Sequence, residues 1–277
     1  MMVATRLLNF MHERQWYRLL SQICQGVYAV KGHKGVKVKF LPQYRAYSFV
    51  SGEGTYLSMG PGWAYDANFL YNALIDTYNF YYQPKRGDCI LDLGAGLGEE
   101  TVVYAKLVGD EGKVLAVEAN PTTFGGLQYL CKENNFSWVT PLNVAIYDDE
   151  GMVAIEDDPM NYLTNTISHQ GARQVHAITM DGLVQQQGLT QIDFLKSNIE
   201  GAEQYLTSGM KGAIDKVRHA CISCHDFREI FHGHGRFYVT KRIVTEFLQD
   251  HGFAINTRHT GNHVIDDYVY GTNKRLV

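Results

Sequence analysis

No window of the sequence approaches the ~18 uninterrupted apolar residues that a membrane-crossing helix needs. Leu7, Leu8, Phe10 and Met11 are followed at once by His12, Glu13 and Arg14, so no secretory signal is expected. Basic charge is not in excess. The formal net charge is −4 over 277 residues, which disfavours a uniformly basic nucleic-acid binder. Lys31 to Lys39 is the densest basic stretch, but Val36, Val38 and Phe40 alternate with Lys37 and Lys39, as in a strand with one solvated face. Cysteine is sparse and odd in number: Cys24, Cys89, Cys131, Cys221 and Cys224. With no export signal, reduced thiols and a cytoplasmic chain are expected. Repeats and low-complexity tracts are absent.

What is present is an alternation of β-rich runs and helical stretches from residue 88 onward. Strands are predicted at Cys89–Leu93, Lys113–Glu118, Val139–Tyr147, Asp193–Ile199 and His219–His225. Helices are predicted at Glu99–Val108, Thr122–Asn134, Ala202–Met210 and Thr240–His251. Two closing strands, Phe253–His259 and Val264–Tyr270, have no helix between them and are expected to be antiparallel around Gly261-Asn262. This is the pattern of a Rossmann-like α/β fold, a seven-stranded, mostly parallel sheet with helices on both faces. Met152–Glu156 and Gln174–Thr179 alternate and read as an inserted hairpin around a mobile loop. Residues 1–85 differ in texture: an amphipathic helix over 5–24, with Leu8, Met11, Leu19, Leu20 and Ile23 near one face, that packs on the main domain or on a partner, a glycine-rich stretch, and an aromatic helix from Asp66 to Tyr82. They read as an N-terminal cap on a domain spanning 86–277.

The strongest motif is Ile90-Leu91-Asp92-Leu93-Gly94-Ala95-Gly96-Leu97-Gly98, an apolar strand entering a glycine turn that opens a helix. Glycine permits the sharp turn and the close approach of a ligand. Glu118 ends the next strand, where a carboxylate can accept from both ribose hydroxyls. The spacing is GxGxG rather than GxGxxG, and Glu99 and Glu100 begin the helix. Negative charge there opposes a pyrophosphate and suits a sulfonium ligand that carries an ammonium group. S-adenosyl-L-methionine is therefore favoured over NAD as the cofactor. An NAD-dependent oxidoreductase and a nucleotide-binding module without chemistry are the competing readings.

These segments resemble the FkbM-type methyltransferases, a family of mostly O-methyltransferases. The resemblance rests on ILDLGAGLGEET (90–101), VLAVEANPTTFGGL (114–127), NVAIYDDEG (143–151) and above all ITMDGLVQQQGLTQIDFLKSNIEGAE (178–203), and it spans roughly residues 88 to 270. It implies that Asp92, Gly94 and Gly96 contact the methionine portion and Glu118 the ribose. It also implies that Asn143, Val144 and Ala145 lie by the adenine and that Glu200 faces the acceptor. Gly98 and Asn198 join the cofactor contacts. Asn198 stands where the family usually has Asp, and its neutral amide cannot act as a base or an anionic metal ligand. The implied acceptor is a small hydroxylated molecule, a sugar or a natural-product scaffold, with no nucleic acid.

Methyl transfer from a sulfonium requires alignment of the acceptor oxygen and removal of its proton. His225, Asp226 and Glu200 follow strand ends, where reactive groups gather in open α/β sheets. His225, whose ordinary pKa lies near neutrality, is expected to be the base. His225, Asp226, His232 and His234 could instead hold a divalent ion. Cys221-x-x-Cys224-His225 matches a haem-attachment pattern, but cysteines three apart on a strand point to opposite faces. Trp63, Tyr65, Tyr71, Tyr78, Tyr81 and Tyr82 are candidates to stack on an acceptor, although Tyr71 and Tyr78 also fit core packing at helical spacing. A homo-oligomer is compatible with this reading.

Overall fold

The computed structural model describes residues 10–33, 35–60, 67–156, 167 and 173–277. Seven strands form the central sheet: β4 (Cys89–Leu93), β5 (Lys113–Val117), β6 (Val139–Leu142), β10 (Ile192–Ser197), β11 (Val217–Ser223), β12 (Phe253–Asn256) and β13 (Tyr268–Asn273). Their spatial order is β12-β13-β11-β10-β4-β5-β6. β13 runs antiparallel to both neighbours, and the other pairings are parallel. Helices Glu99–Val108 and Pro121–Glu133 cover one face, and Met180–Gln186, Glu203–Gly209 and Lys241–Asp250 the other. The expected seven-stranded Rossmann-like sheet is present. β4 and β10 are adjacent although far apart in sequence, so their carboxyl ends form the switch point at which ligands bind in such sheets.

Several predicted boundaries shift for local reasons. The strand expected over Val139–Tyr147 is divided at Asn143, whose amide donates to the carbonyls of Glu118 (2.8 Å) and Ala119 (2.9 Å). Beyond it, β7 (Ala145–Ile146) joins β8 (Gly151–Ile155) and β9 (Arg173–Ile178) in a separate sheet of order β7-β9-β8. β8 and β9 are the predicted antiparallel hairpin; of its loop, 157–166 and 168–172 lie outside the described residues. The closing pair is antiparallel but is not joined by a tight turn. The short helix His263–Asp266 occupies positions expected to be strand, because Asn262 caps it by accepting from Val264 N at 3.1 Å.

The N-terminal segment packs on the outside of this sheet. β1 (Lys37–Leu41), β2 (Ala46–Ser51) and β3 (Gly54–Ser58) form an antiparallel sheet. The side chain of Asn134, just past helix Pro121–Glu133, extends that sheet like one more strand residue. Its Oδ1 accepts from Thr55 N at 2.9 Å, and its Nδ2 donates to Thr55 O at 2.8 Å. The predicted helix over 5–24 is interrupted: residues 10–13 are helical, the helix breaks at Gln15 (φ 59°), and a second helix runs Tyr17–Val30, while 5–9 lie outside the described residues. Of the expected apolar face, Met11 and Leu20 are buried, whereas Leu19 and Ile23 face outward. The aromatic helix is shorter than expected, ending at Asp76.

A buried ion pair lies at the heart of the sheet. Lys196 on β10 is fully buried beside its register partner Asp92 on β4, with Nζ 2.9 Å from Asp92 Oδ1. The same ammonium donates to Gly94 O at 2.8 Å, and Thr101 Oγ1 donates to Asp92 Oδ2 at 2.6 Å. Burial alone would lower the Lys196 pKa, but Asp92 and Glu100 hold it above the usual lysine range. Removing one member of a buried pair strands the other charge at a cost of ~3–5 kcal/mol. Lys196→Met is therefore expected to lower the melting temperature by on the order of 10 °C. The double variant Asp92→Leu/Lys196→Met should recover part of that loss. Thermal unfolding followed by circular dichroism measures both, and an unchanged midpoint in Lys196→Met would refute the account of this pair.

Candidate active site

The turn after β4 is built for close approach. Gly94, Gly96 and Gly98 all have positive φ (72°, 57° and 94°). A Cβ on Gly94 would sit 1.9 Å from Asn198 O at the end of β10, so the two turns touch only because Gly94 has no side chain. Gly94 N and Ala95 N both donate to Val117 O at 2.9 Å, which joins the turn to β5. Glu118, directly after β5, clamps the turn from the other side. Its Oε2 accepts from Gly96 N and its Oε1 from Asn120 N, each at 2.9 Å. Burial pushes the Glu118 carboxyl up, and these two N–H donors oppose that shift.

Around these turns opens a cleft of roughly 890 Å³, counting the open solvent at its mouth. Gly94, Gly96, Glu118, Ala145, Asn198 and Glu200 line it together, and Val144, Ile146, Ile155 and Ile167 supply an apolar wall. Its charge is one-sided: Glu99, Glu100, Glu118 and Glu200 line it, with no lysine, arginine or histidine among the described lining residues. The Asn198 Oδ1 atom is buried at this lining without a hydrogen-bond partner, a cost that a ligand donor would relieve. An unfilled acceptor, a glycine cradle and four carboxylates fit a cationic amino-acid nucleoside.

Other expected site residues stand behind the cleft. Asp92 is buried under the glycine turn with Lys196 and Thr101, so the expectation that it touches the methionine portion is corrected. Gly98 is the N-cap of helix Glu99–Val108, and a Cβ there would meet Leu127 at 2.9 Å. Asn143 ties the β6 turn to the β5 turn and does not line the cleft. Asp226 opens helix Asp226–His232 and accepts from Thr240 N and Lys241 N at 2.9 Å each, which caps the next helix. Among the described residues, no three His, Cys, Asp or Glu side chains group to hold a metal ion. Cys221 and Cys224 are buried in cores on opposite faces of the sheet. The described aromatic candidates do not line the cleft either. Tyr78 stacks on Tyr268 with ring centroids 5.0 Å apart, and Tyr82 on His219 at 4.0 Å. Tyr71 and Tyr81 are exposed, and Trp63 and Tyr65 lie outside the described residues.

His225 requires the largest correction. It is 3% exposed and lies between two carboxylates, with Nε2 3.4 Å from Glu200 Oε1 and Nδ1 3.1 Å from Glu203 Oε1. Burial disfavours its charge, but Glu203 and Glu200 outweigh burial and the pKa is pushed up to about 10. At neutral pH it is an imidazolium and cannot act as a base. Glu203 is itself fully buried and accepts from Thr240 Oγ1 at 3.1 Å. Arg228 Nη2 grips the second oxygen of Glu200 at 2.6 Å. Glu200 thus reaches the cleft from a left-handed backbone (φ 56°), which a non-glycine residue adopts only when its surroundings impose it. Sequence reasoning did not single out Lys196, Glu203 or Arg228. Lys196 and Glu203 belong to the LKSNIEGAE stretch, but Arg228 sits on a separate helix with no motif around it.

The His225 proton has a measurable consequence. Below the ordinary histidine pKa of 6.5, both folded and unfolded chains hold the proton, and the full stabilisation is present. Between 6.5 and about 10 only the folded chain holds it, so stability falls as pH rises. The stability difference between wild type and His225→Gln should therefore shrink from pH 6 to pH 10 in urea titrations. A difference that does not fall between pH 6 and pH 10 would mean that the His225 pKa is not raised in the folded protein.

The Methyltransferase FkbM domain model matches residues 92–255. The chain is 25% identical over 147 residues to the hexuronic acid methyltransferase AglP of Haloferax volcanii, covering 52% of this chain and 58% of that protein. It therefore spans little more than half of that relative. Among solved structures, methyltransferase FkbM from Methylobacillus flagellatus superposes with a TM-score of 0.47 at 17% identity, covering 69% of this chain and 45% of the other. Fibrillarin from Aeropyrum pernix, with S-adenosyl-L-methionine natively bound, superposes with a TM-score of 0.45 at 13% identity, covering 82% of this chain and 94% of the other. The family match covers more than half of the sequence and contains both the glycine turn and the Glu200 turn: the chain belongs to the FkbM methyltransferase family.

Proposed function

We propose that the protein is an S-adenosyl-L-methionine-dependent O-methyltransferase acting on a hydroxyl of a sugar or natural-product small molecule. The observation that carries this reading is the one-sided charge of the cleft at the switch point. Four glutamates without a lining cation would repel a dinucleotide pyrophosphate and attract a sulfonium and an ammonium. Glu118 retains lone pairs for ribose hydroxyls while accepting from two backbone N–H groups. The backbone and amide of Asn198 suit the amino-acid tail, and Val144, Ala145 and Ile146 give the base an apolar bed. In this reading residues 86–277 are the methyltransferase domain and 1–85 cap one face of it. The hexuronic acid named for the Haloferax relative is itself a polyhydroxylated sugar, which agrees with a sugar acceptor.

The cofactor would supply a methyl group on a cationic sulfur. The chain's own part is to align the acceptor oxygen and to manage its proton. Glu200 is the candidate for the second task. It lines the cleft, while the His225 imidazolium and Arg228 fix both of its oxygens from behind. His225, Glu203 and Arg228 are positioning residues in this scheme, because they reach the acceptor only through Glu200. Glu200→Gln keeps the shape and removes the proton acceptor, so kcat should fall by roughly 10²–10⁴-fold with cofactor affinity nearly unchanged. Transfer of labelled methyl from S-adenosyl-L-methionine to a panel of uronic acids and neutral sugars reads this directly. Wild-type turnover in Glu200→Gln would remove the carboxylate from the chemistry, and transfer to no hydroxylated acceptor would count against the substrate class.

A further inference from the structure

Helix Tyr17–Val30 has two apolar faces but uses only one. Leu20, Cys24 and Tyr28 are buried in the core shared with the N-terminal sheet. Roughly a third of a turn away, Trp16, Leu19, Ile23, Val27 and Val30 recur at intervals of three and four residues and so form one continuous stripe. All five are exposed, Val30 to 90%. Phe10, also exposed, meets Trp16 edge-on at 6.4 Å, and the Arg14 guanidinium lies 5.3 Å from the centroid of the Phe10 ring. An apolar stripe of this length on a helix end is too continuous to be scattered surface hydrophobicity.

Charge indicates what covers it. Residues 1–50 contain eight lysines and arginines and a single acidic residue, Glu13, a formal +7 in a chain whose total is −4. Arg14, Arg18, Lys31, Lys37 and Lys39 are all solvent-exposed around the stripe-bearing helix and the strand beside it. A second copy of the chain docking two-fold through this face would press one strongly cationic unit against another. An anionic bilayer neutralises the cations and accepts the apolar residues together, with Trp16 and Phe10 suited to the headgroup boundary. Among the described residues no helix is long and apolar enough to cross a membrane, so the helix would lie on the surface. We propose that the N-terminal helix and its cationic flanks are a docking face for an anionic lipid surface.

Co-sedimentation of the full-length protein with vesicles tests this. Phosphatidylcholine vesicles containing phosphatidylglycerol should pull the protein down, pure phosphatidylcholine vesicles should not, and added salt should release it. Ile23→Asp/Val27→Asp should weaken binding by at least about tenfold. Both positions are exposed, so the melting temperature should be retained. Lys37→Gln/Lys39→Gln, which leaves the stripe intact, should weaken binding and flatten its salt dependence, which keeps the proposal testable if the aspartate variant misfolds. Binding to neither vesicle type overturns the proposal, as does binding that ignores both variants. A salt-resistant dimer in sedimentation velocity, dissolved by Ile23→Asp/Val27→Asp, would assign the face to a second copy instead.

Discussion

A single buried ammonium holds the centre of the molecule together. Lys196 comes from β10, yet two of its partners, Asp92 and Gly94, belong to β4 and the turn that follows it. Those strands are adjacent in the sheet but a hundred residues apart in sequence, and the cleft opens where they part. An ion pair in a dry interior tolerates little displacement, because each charge depends on the other for the solvation it has lost. The Lys196 pair therefore fixes the height of the Gly94 turn against the Asn198 turn. The missing Cβ of Gly94 lets the two turns meet. Without both features the cleft would have no floor.

Above that floor two carboxylates line the cleft from different strand ends. Glu118 follows β5 and accepts from the backbone donors that shape the glycine turn. Glu200 follows β10 and is held by side chains that arrive from the opposite side. The cations that hold Glu200, His225 and Arg228, stand behind it, and Lys196 lies beneath the glycine turn; none of the three is in the cleft lining. This arrangement keeps cations out of the cleft lining while giving Glu200 a fixed orientation. It also explains how a non-glycine residue is held at positive φ at position 200: contacts on both carboxylate oxygens supply the constraint.

Much of this was legible in the sequence because it is local. The apolar run 89–93, the glycine spacing and the glutamate ending β5 are short-range signals, and the structure brings Gly94, Gly96, Glu118, Ala145, Asn198 and Glu200 to one cleft. The misread positions depend on contacts across the fold. Asp92 looks like a ligand contact until Lys196 is found beside it, a pairing decided by strand register. His225 looks like a base until Glu203 and Glu200 flank it and reverse its protonation. Asp226 looks reactive until Thr240 and Lys241 show it to be a helix cap. On the N-terminal helix, periodicity identified apolar residues but could not say which of two apolar faces turns inward, because that depends on where β1 and β2 lie.

The central claim is that the switch-point cleft selects a cationic amino-acid nucleoside over a dinucleotide, and calorimetric titration of the purified protein addresses it most directly. S-adenosylhomocysteine should bind with one-to-one stoichiometry, and Glu118→Ala should weaken that binding by about tenfold or more through loss of the ribose contacts. NAD should give no heat of binding under the same conditions. Saturable binding of NAD with none of S-adenosylhomocysteine would contradict the account.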